Sequence, residues 1–391
     1  MARPLRLRRV MSLGLTLLRG LAAPFLLCTL YVACSSSESS ASDSSARETT
    51  QDASADAKQA EAVSCDDRRA TSAMTCGSLS WSTSEVKSRP RNHHATFIVS
   101  TAAGPYLFAI GGADGQKGIA SVDAAPVAAD GSLGPFEGRA PLTMPTGGLT
   151  GGVVGNVIVV AGGMTDMSVT AESFRAVVGD DGSLGAWAPA GSTGRARMHP
   201  GGFTRGDSIY VLGGFDDPNV WDDVVRATVG ADGIVSAWMP AGTLPGPRSH
   251  ASVLERDGFV YLVGGLEKSA FDNPPLLNDA WRGRVLDDGS LGEWTAMPSF
   301  PVRIATHASF FYGGYLYVAG GMSGATELNR VWRAVIDADH ALGEWEEVAS
   351  LPIARGHVHQ LPVFGNHVYS VGGALDLDLH STDHVDVGVF E

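Results

Sequence analysis

The 391 residues are 44% hydrophobic but only 8% aromatic, and they include 49 Gly and 20 Pro, a balance that favours turns and short strands over long helices. With 42 acidic against 28 basic residues the net charge is −14, which argues against a phosphate-binding surface and so against a nucleic-acid partner. A chain this long holds several domains or one repeating unit, and internal repeats decide between them.

Arg3, Arg6, Arg8 and Arg9 precede an apolar stretch that ends in Val32-Ala33, so residues 1–33 read as an export signal. A spanning helix competes with that reading, but Arg19 divides the stretch, and 20–33 is shorter than the ~20 residues a bilayer crossing needs. Leu30-Tyr31-Val32-Ala33-Cys34 resembles a bacterial lipoprotein cleavage box. The resemblance implies a lipid on Cys34 and attachment to a membrane through that anchor alone; ordinary signal cleavage is the alternative. Ser35, not Asp, follows the cysteine, which in enteric lipoproteins implies the outer membrane, with a periplasmic or secreted protein as the other outcome.

Residues 35–64 mix Ser, Ala, Asp, Glu and Gln with no aromatic side chain, a composition that buries too little apolar area to fold, so 34–76 reads as a linker. Cys65 and Cys76 could pair in an oxidising compartment and staple the linker to the domain; two free thiols are the other possibility. Loss of the five arginines in 1–33 leaves 23 basic against 42 acidic residues, a mature charge of about −19 that favours solubility.

Residues 77–391 repeat. Gly-Gly pairs stand at 111, 162, 213, 264, 320 and 372, spaced by 51, 51, 51, 56 and 52 residues, close to the ~50 of a four-stranded propeller blade. Each pair ends an apolar stretch such as Ser208-Ile209-Tyr210-Val211-Leu212, read as the second strand of its unit. Third strands follow a loop and carry an arginine, as in Phe174-Arg175-Ala176-Val177 and Trp332-Arg333-Ala334-Val335. Asp130-Gly131, Asp181-Gly182, Asp232-Gly233 and Asp288-Gly289 then mark hairpin turns, with Asp339-His340 in the fifth repeat. After each turn comes Phe136, Trp187, Trp238, Trp294 or Trp345, a column expected to pack between blades. The last repeat stops at Glu391 without a fourth strand, whereas Gly77-Ser78-Leu79-Ser80-Trp81 matches that strand's sequence elsewhere. The N-terminal strand is therefore expected to complete the last blade and to leave no open sheet edge.

A strand ending in Gly-Gly, a later Trp and then an Arg before the next strand resembles the kelch repeat, over about 315 residues. The expected fold is all-β, a six-bladed kelch-like β-propeller closed by the N-terminal strand. The family's Tyr in the third strand is mostly absent here, and Asp-Gly-Ser-Leu-Gly hairpins replace its common loop.

Ligands of propellers usually meet the face where the second-to-third-strand loops gather. Here those loops are rich in carboxylates without the spacing of a calcium loop, and the long segment 266–280 is the most unusual of them. Before each first strand stand Arg91 and His94, Arg197 and His199, Arg248 and His250, Arg303 and His307, and Arg355 and His357; the second repeat has Gly148-Leu149. His94 follows Trp81 by thirteen residues, as His307 follows Trp294. One reading gathers this set at the channel mouth to bind a carboxylate or sugar acid, or a metal. The other makes each Arg and His a structural pin that repeats because the blade repeats.

No phosphate loop, zinc-protease helix or serine elbow is present in the sequence, and no cofactor, metal or catalytic residue is assigned. Three functions remain: a module binding protein or glycan at the envelope, an enzyme resembling kelch-type sialic acid mutarotases, and an architectural envelope component. A binding module fits a chain without a catalytic constellation better than an enzyme does.

Overall fold

The computed structural model describes residues 78–269 and 275–391, and among them every regular element is a β-strand. The export signal, Cys34, the linker, Cys65 and Cys76 lie outside the described residues, as does part of the 266–280 loop.

Burial grades outward within each repeat. The β-branched second strands Val157–Ala161 and Ser208–Leu212 are buried at every residue, whereas the fourth strand Met239–Thr243 buries only Ala241. The third strands lie between these extremes; Arg226 and Arg333 are half-buried beside buried Ala227 and Ala334.

The first antiparallel sheet contains Ala95–Thr101, Gly104–Ile110, Val122–Pro126 and Glu137–Arg139 in that order. The second contains Thr150–Val154, Val157–Ala161, Glu172–Val177 and Ala188–Ser192. An eight-stranded sheet follows, made of two antiparallel quartets: Gly201–Arg205, Ser208–Leu212, Asp223–Thr228 and Met239–Thr243, then Ser252–Arg256, Phe259–Gly265, Leu277–Val285 and Leu291–Met297. A single parallel pair, Gly242 with Leu291, joins the two. The next sheet holds Ala308–Tyr312, Tyr315–Ala319, Arg330–Val335 and Glu346–Ser350. In the last, Val363–Phe364, His367–Val371 and Val385–Phe390 are followed by Leu79–Thr83, with Leu79 opposite Phe390 and Trp81 opposite Gly388. The arrangement is all-β and propeller-like. Gly388 has no room for a side chain, because the Trp81 indole and Val368 fill the space a Cβ would need.

The aromatic column acts between sheets. The indole N–H groups of Trp187, Trp238, Trp294 and Trp345 donate to the carbonyls of Ala140, Ala190, Thr243 and Pro298 in or just after the outer strand of the preceding sheet, at 2.8–3.1 Å. In the opposite sense, the hydroxyls of Tyr210, Tyr261 and Tyr369 reach the turn carbonyls of Gly289, His340 and Gly131 at 2.9, 2.9 and 2.7 Å. Those turns are set locally: Asp130 Oδ1 accepts from the Ser132 amide at 3.0 Å and its hydroxyl at 2.7 Å, and Asp288 does the same for Ser290. His340 takes the glycine position of the fifth turn with φ 60°.

Candidate functional site

The residue entering each first strand has a left-handed backbone: His93, Gly148, His199, His250, Thr306 and His357 have φ between 51° and 68°. This geometry turns each N–H toward one neighbouring unit and each carbonyl toward the other. Gly148 donates to His93, His199 to Gly148, His250 to His199, Thr306 to His250, His357 to Thr306 and His93 to His357, all at 2.8–3.1 Å. The six bonds close into a circuit. A second circuit lies beside it, in which Gly112, Gly163, Gly214, Gly265, Gly321 and Gly373 donate to Thr146, Arg197, Arg248, Ile304, Arg355 and Arg91 at 2.7–2.9 Å.

Inside the first circuit the imidazoles crowd together. Ring centroids of His93 and His357 are 4.0 Å apart, those of His199 and His250 3.9 Å, and those of His93 and His199 4.7 Å. His359, two residues beyond His357 and ahead of the strand Val363–Phe364, stands 5.5 Å from His199 and 6.1 Å from His93. The His93 Nδ1–H donates to Asn92 Oδ1, and His250 Nδ1 shares a 3.1 Å hydrogen bond with Ser249 Oγ. Burial, reinforced by the neighbouring imidazoles, drives the pKa of His93, His199 and His250 well below 6.5; His357 falls to about 3 and, by burial, His359 to about 4. The cluster is neutral at physiological pH. Among the described residues no group of three or more His, Cys, Asp or Glu side chains is arranged to hold a metal ion.

Beside the ring, at the loop end of the channel, lies Glu327. It is only 8% exposed, and neither carboxylate oxygen has a hydrogen-bond partner. A side chain on Gly356 would collide with its Oε2 and with Thr306 Oγ1, which is also buried and unpartnered. Burial first, and the charge of Asp376 second, push the Glu327 carboxyl up to about 7.

No family model matches the chain. Among curated proteins, Kelch-like protein terF of Aspergillus terreus is 28% identical over 43% of this chain and 37% of its own length. Beta-scruin of Limulus polyphemus is 25% identical over 49% of this chain and 20% of its own length. Kelch repeat and BTB domain-containing protein 1 of Ectromelia virus is 22% identical over 41% of this chain and 26% of its own. The solved structure of YjhT superposes with a TM-score of 0.60 over 76% of this chain and 95% of its own, at 13% identity. These findings support a kelch-repeat β-propeller. The chain spans well under half the length of these curated relatives, and the likeness to YjhT speaks to the fold alone.

In this kelch propeller the ten Arg and His residues singled out from the sequence do not form one ligand-facing set. Arg91, Arg197, Arg248 and Arg355 point into the sheets, at most 6% exposed. Each donates to the carbonyl of the first glycine of its own Gly-Gly pair, Gly111, Gly213, Gly264 or Gly372, at 2.7–3.3 Å. Each also pairs with a third-strand aspartate: Asp123, Asp223, Asp279 or Asp386. Burial lowers Arg91 to about 10 against the pull of Asp123, so it remains a cation, already neutralised by its partner. Arg303 stands one residue before the equivalent position, Ile304, and donates to the Leu276 carbonyl at 2.8 Å.

His199, His250 and His357 are in the ring, but His94 and His307 are not. Each lies one residue beyond the ring position, its imidazole wedged where a side chain on Gly372 or Gly264 would sit. The true ring members there are His93 and Thr306, and His359 joins the cluster without having been expected. The sequence did hold the signal. Trp81, Trp187, Trp238, Trp294 and Trp345 precede His93, His199, His250, Thr306 and His357 by twelve residues each, and Phe136 precedes Gly148 by twelve.

Proposed function

We propose that this chain is an exported, envelope-tethered kelch propeller that binds a protein or glycan partner with its loop face. The proposed ring has six blades, counting each half of the eight-stranded sheet as one, with Leu79–Thr83 closing the last; the six-membered hydrogen-bond circuit supports that count. In this reading residues 1–33 direct export, Cys34 carries a lipid at a bacterial outer membrane, and 34–76 is the tether, with Cys65 and Cys76 available to pair.

One observation carries the binding role: apolar side chains exposed on adjoining loops. Met167 is 92% exposed and Leu377 52%, accompanied by Met144, Met164 and Leu375. Their loops adjoin. The Gly115 amide donates to Ser381 Oγ at 3.0 Å, and a side chain on Gly118 would touch both Asp166 and Pro145. A cluster of exposed Met and Leu is a common mark of a protein-binding surface.

A second reading, a sugar-modifying enzyme, is favoured by Glu327, which is half-protonated near neutral pH and so suited to proton transfer. One set of full-length variants tests both. Cross-linking in native envelopes should recover a partner with the wild type that is lost with Met167→Asp/Leu377→Asp, while NMR of sugar anomer exchange should show no acceleration. A partner retained by the double variant overturns the loop-face reading, and exchange that accelerates with the wild type but not with Glu327→Gln selects the enzyme.

A further inference from the structure

At the end of the strands opposite the loops, an open cleft of about 630 Å³ separates the second unit from the hairpin turn of the third, between walls of Val154, Val157, Val177 and Val229. The corresponding junctions elsewhere are filled from within. A Cβ on Gly131, Gly182 or Gly289 would run into the His367 imidazole, the Tyr106 ring or the Arg226 guanidinium of the preceding unit, and His340 stacks on Phe259 with centroids 4.2 Å apart. The carbonyls of the same four turn residues, Gly131, Gly182, Gly289 and His340, accept from the Tyr369 hydroxyl, Arg139 Nε, the Tyr210 hydroxyl and the Tyr261 hydroxyl at 2.7–2.9 Å. Gly233 lines the cleft and is supplied with neither. The nearest atom to a Cβ there would be Val157 Cγ2 at 3.3 Å, and among the described residues no side chain donates to the Gly233 carbonyl. The sequence gives the reason. Five and three residues before the first glycine of each Gly-Gly pair stand Tyr106 and Phe108, Ser208 and Tyr210, Phe259 and Tyr261, Tyr315 and Tyr317, and His367 and Tyr369, but in the second unit Val157 and Val159.

We propose that this cleft is a binding site for a small, uncharged phenol, which takes the position of the ring that the second unit lacks. Two groups without partners define the ligand. The Gly233 carbonyl can accept a hydrogen bond, and a phenolic hydroxyl is the donor at three of the other turns. Arg175 supplies a cation. The corresponding Arg282 and Arg333 lie over Phe259 and Tyr315, 5.1 and 4.4 Å from the ring centroids. Arg175 has no such ring, and among the described residues it makes no hydrogen bond or ion pair. Its Nη1 lies 3.8 Å from where a Cβ on Gly233 would sit, so a ring set against Gly233 reaches both groups. The valine walls suit the faces of that ring. Asp207 and Asp232 also line the cleft, and their carboxylates disfavour an aromatic acid against a neutral phenol. The cleft lies at the other end of the strands from the proposed loop-face contact, and the inference stands without it.

The test uses the full chain and saturation-transfer NMR with para-cresol, the tyrosine side chain as a free molecule. Toluene keeps the ring and lacks the hydroxyl, and para-hydroxybenzoate supplies the anion. Para-cresol should give contact signals and bind about fivefold more tightly than either control. Val159→Tyr provides the missing ring from within, because its neighbours Ala190, Ile209 and Val229 match Ala241, Val260 and Val285 around Tyr210. It should abolish para-cresol binding and raise the unfolding midpoint. Val177→Asp, at a wall position 40% exposed, should weaken para-cresol binding about fivefold or more with the midpoint unchanged, and it keeps the test decisive should Val159→Tyr fail to fold. The proposal is overturned if para-cresol gives no contact signals, if toluene or para-hydroxybenzoate binds as well as para-cresol, or if Val177→Asp binds para-cresol as the wild type does.

Discussion

Replacing Glu327 with Gln should stabilise the protein, and by an amount set by pH. In the folded chain the carboxyl holds its proton up to about 7, against an ordinary value of 4.5. Between those values the unfolded chain releases a proton that the folded chain retains, so raising the pH favours unfolding. Each tenfold change in proton affinity is worth about 1.4 kcal/mol, which places the full penalty at about 3 kcal/mol above pH 8. Gln cannot ionise and escapes it. Urea unfolding of wild type and Glu327→Gln, followed from pH 5 to pH 8.5, should give stabilities that differ by less than about 1 kcal/mol at pH 5 and by about 3 kcal/mol at pH 8. All other titrations are common to both chains and cancel in the difference. A gap that stays constant with pH, or that closes as pH rises, would refute the assignment of an unpartnered carboxyl at this position.

Arg355 and Asp386 form a pair whose side chains are 1% and 0% exposed, so Arg355→Met should cost about 3–5 kcal/mol by stranding a buried carboxylate. Adding Asp386→Asn should restore most of that loss in a double-mutant cycle, and an additive double variant would contradict a shared role. Tyr369→Phe removes the hydroxyl that bonds the Gly131 carbonyl across 238 residues of sequence, and should lower stability by about 1 kcal/mol in thermal unfolding with no change in spectroscopic strand content.

Much of the architecture was readable because it is repeated chemistry. The Gly-Gly pairs, the Asp-Gly turns and the tryptophan column each recur in register, and each performs the same local task in successive sheets. The candidate site was less legible. His93 and His94 stand in tandem, and choosing between them required knowing which one takes a left-handed backbone, a property that Gly148 shares and that side-chain type alone does not reveal. Thr306 broke the histidine pattern and drew attention to His307, one residue too far. Glu327 is one of many loop carboxylates and nothing in the sequence sets it apart, because its isolation arises from how the hairpin of Met322–Ser323 and Thr326–Glu327 lies against Gly356 and Thr306.

The arginines show why a recurring cation need not be a ligand site. For Arg355 to receive an external carboxylate it would have to give up Asp386 and the Gly372 carbonyl, leaving an aspartate with 0% exposure without its counter-ion. The incoming anion would add a second negative charge to a space that already holds one, and its Coulombic gain would be set against two desolvation penalties. The same pins fix the Gly-Gly carbonyls whose neighbouring amides make the second inter-sheet circuit. Charge inside this propeller therefore serves to hold the strands of each unit together, and the backbone circuits join one unit to the next.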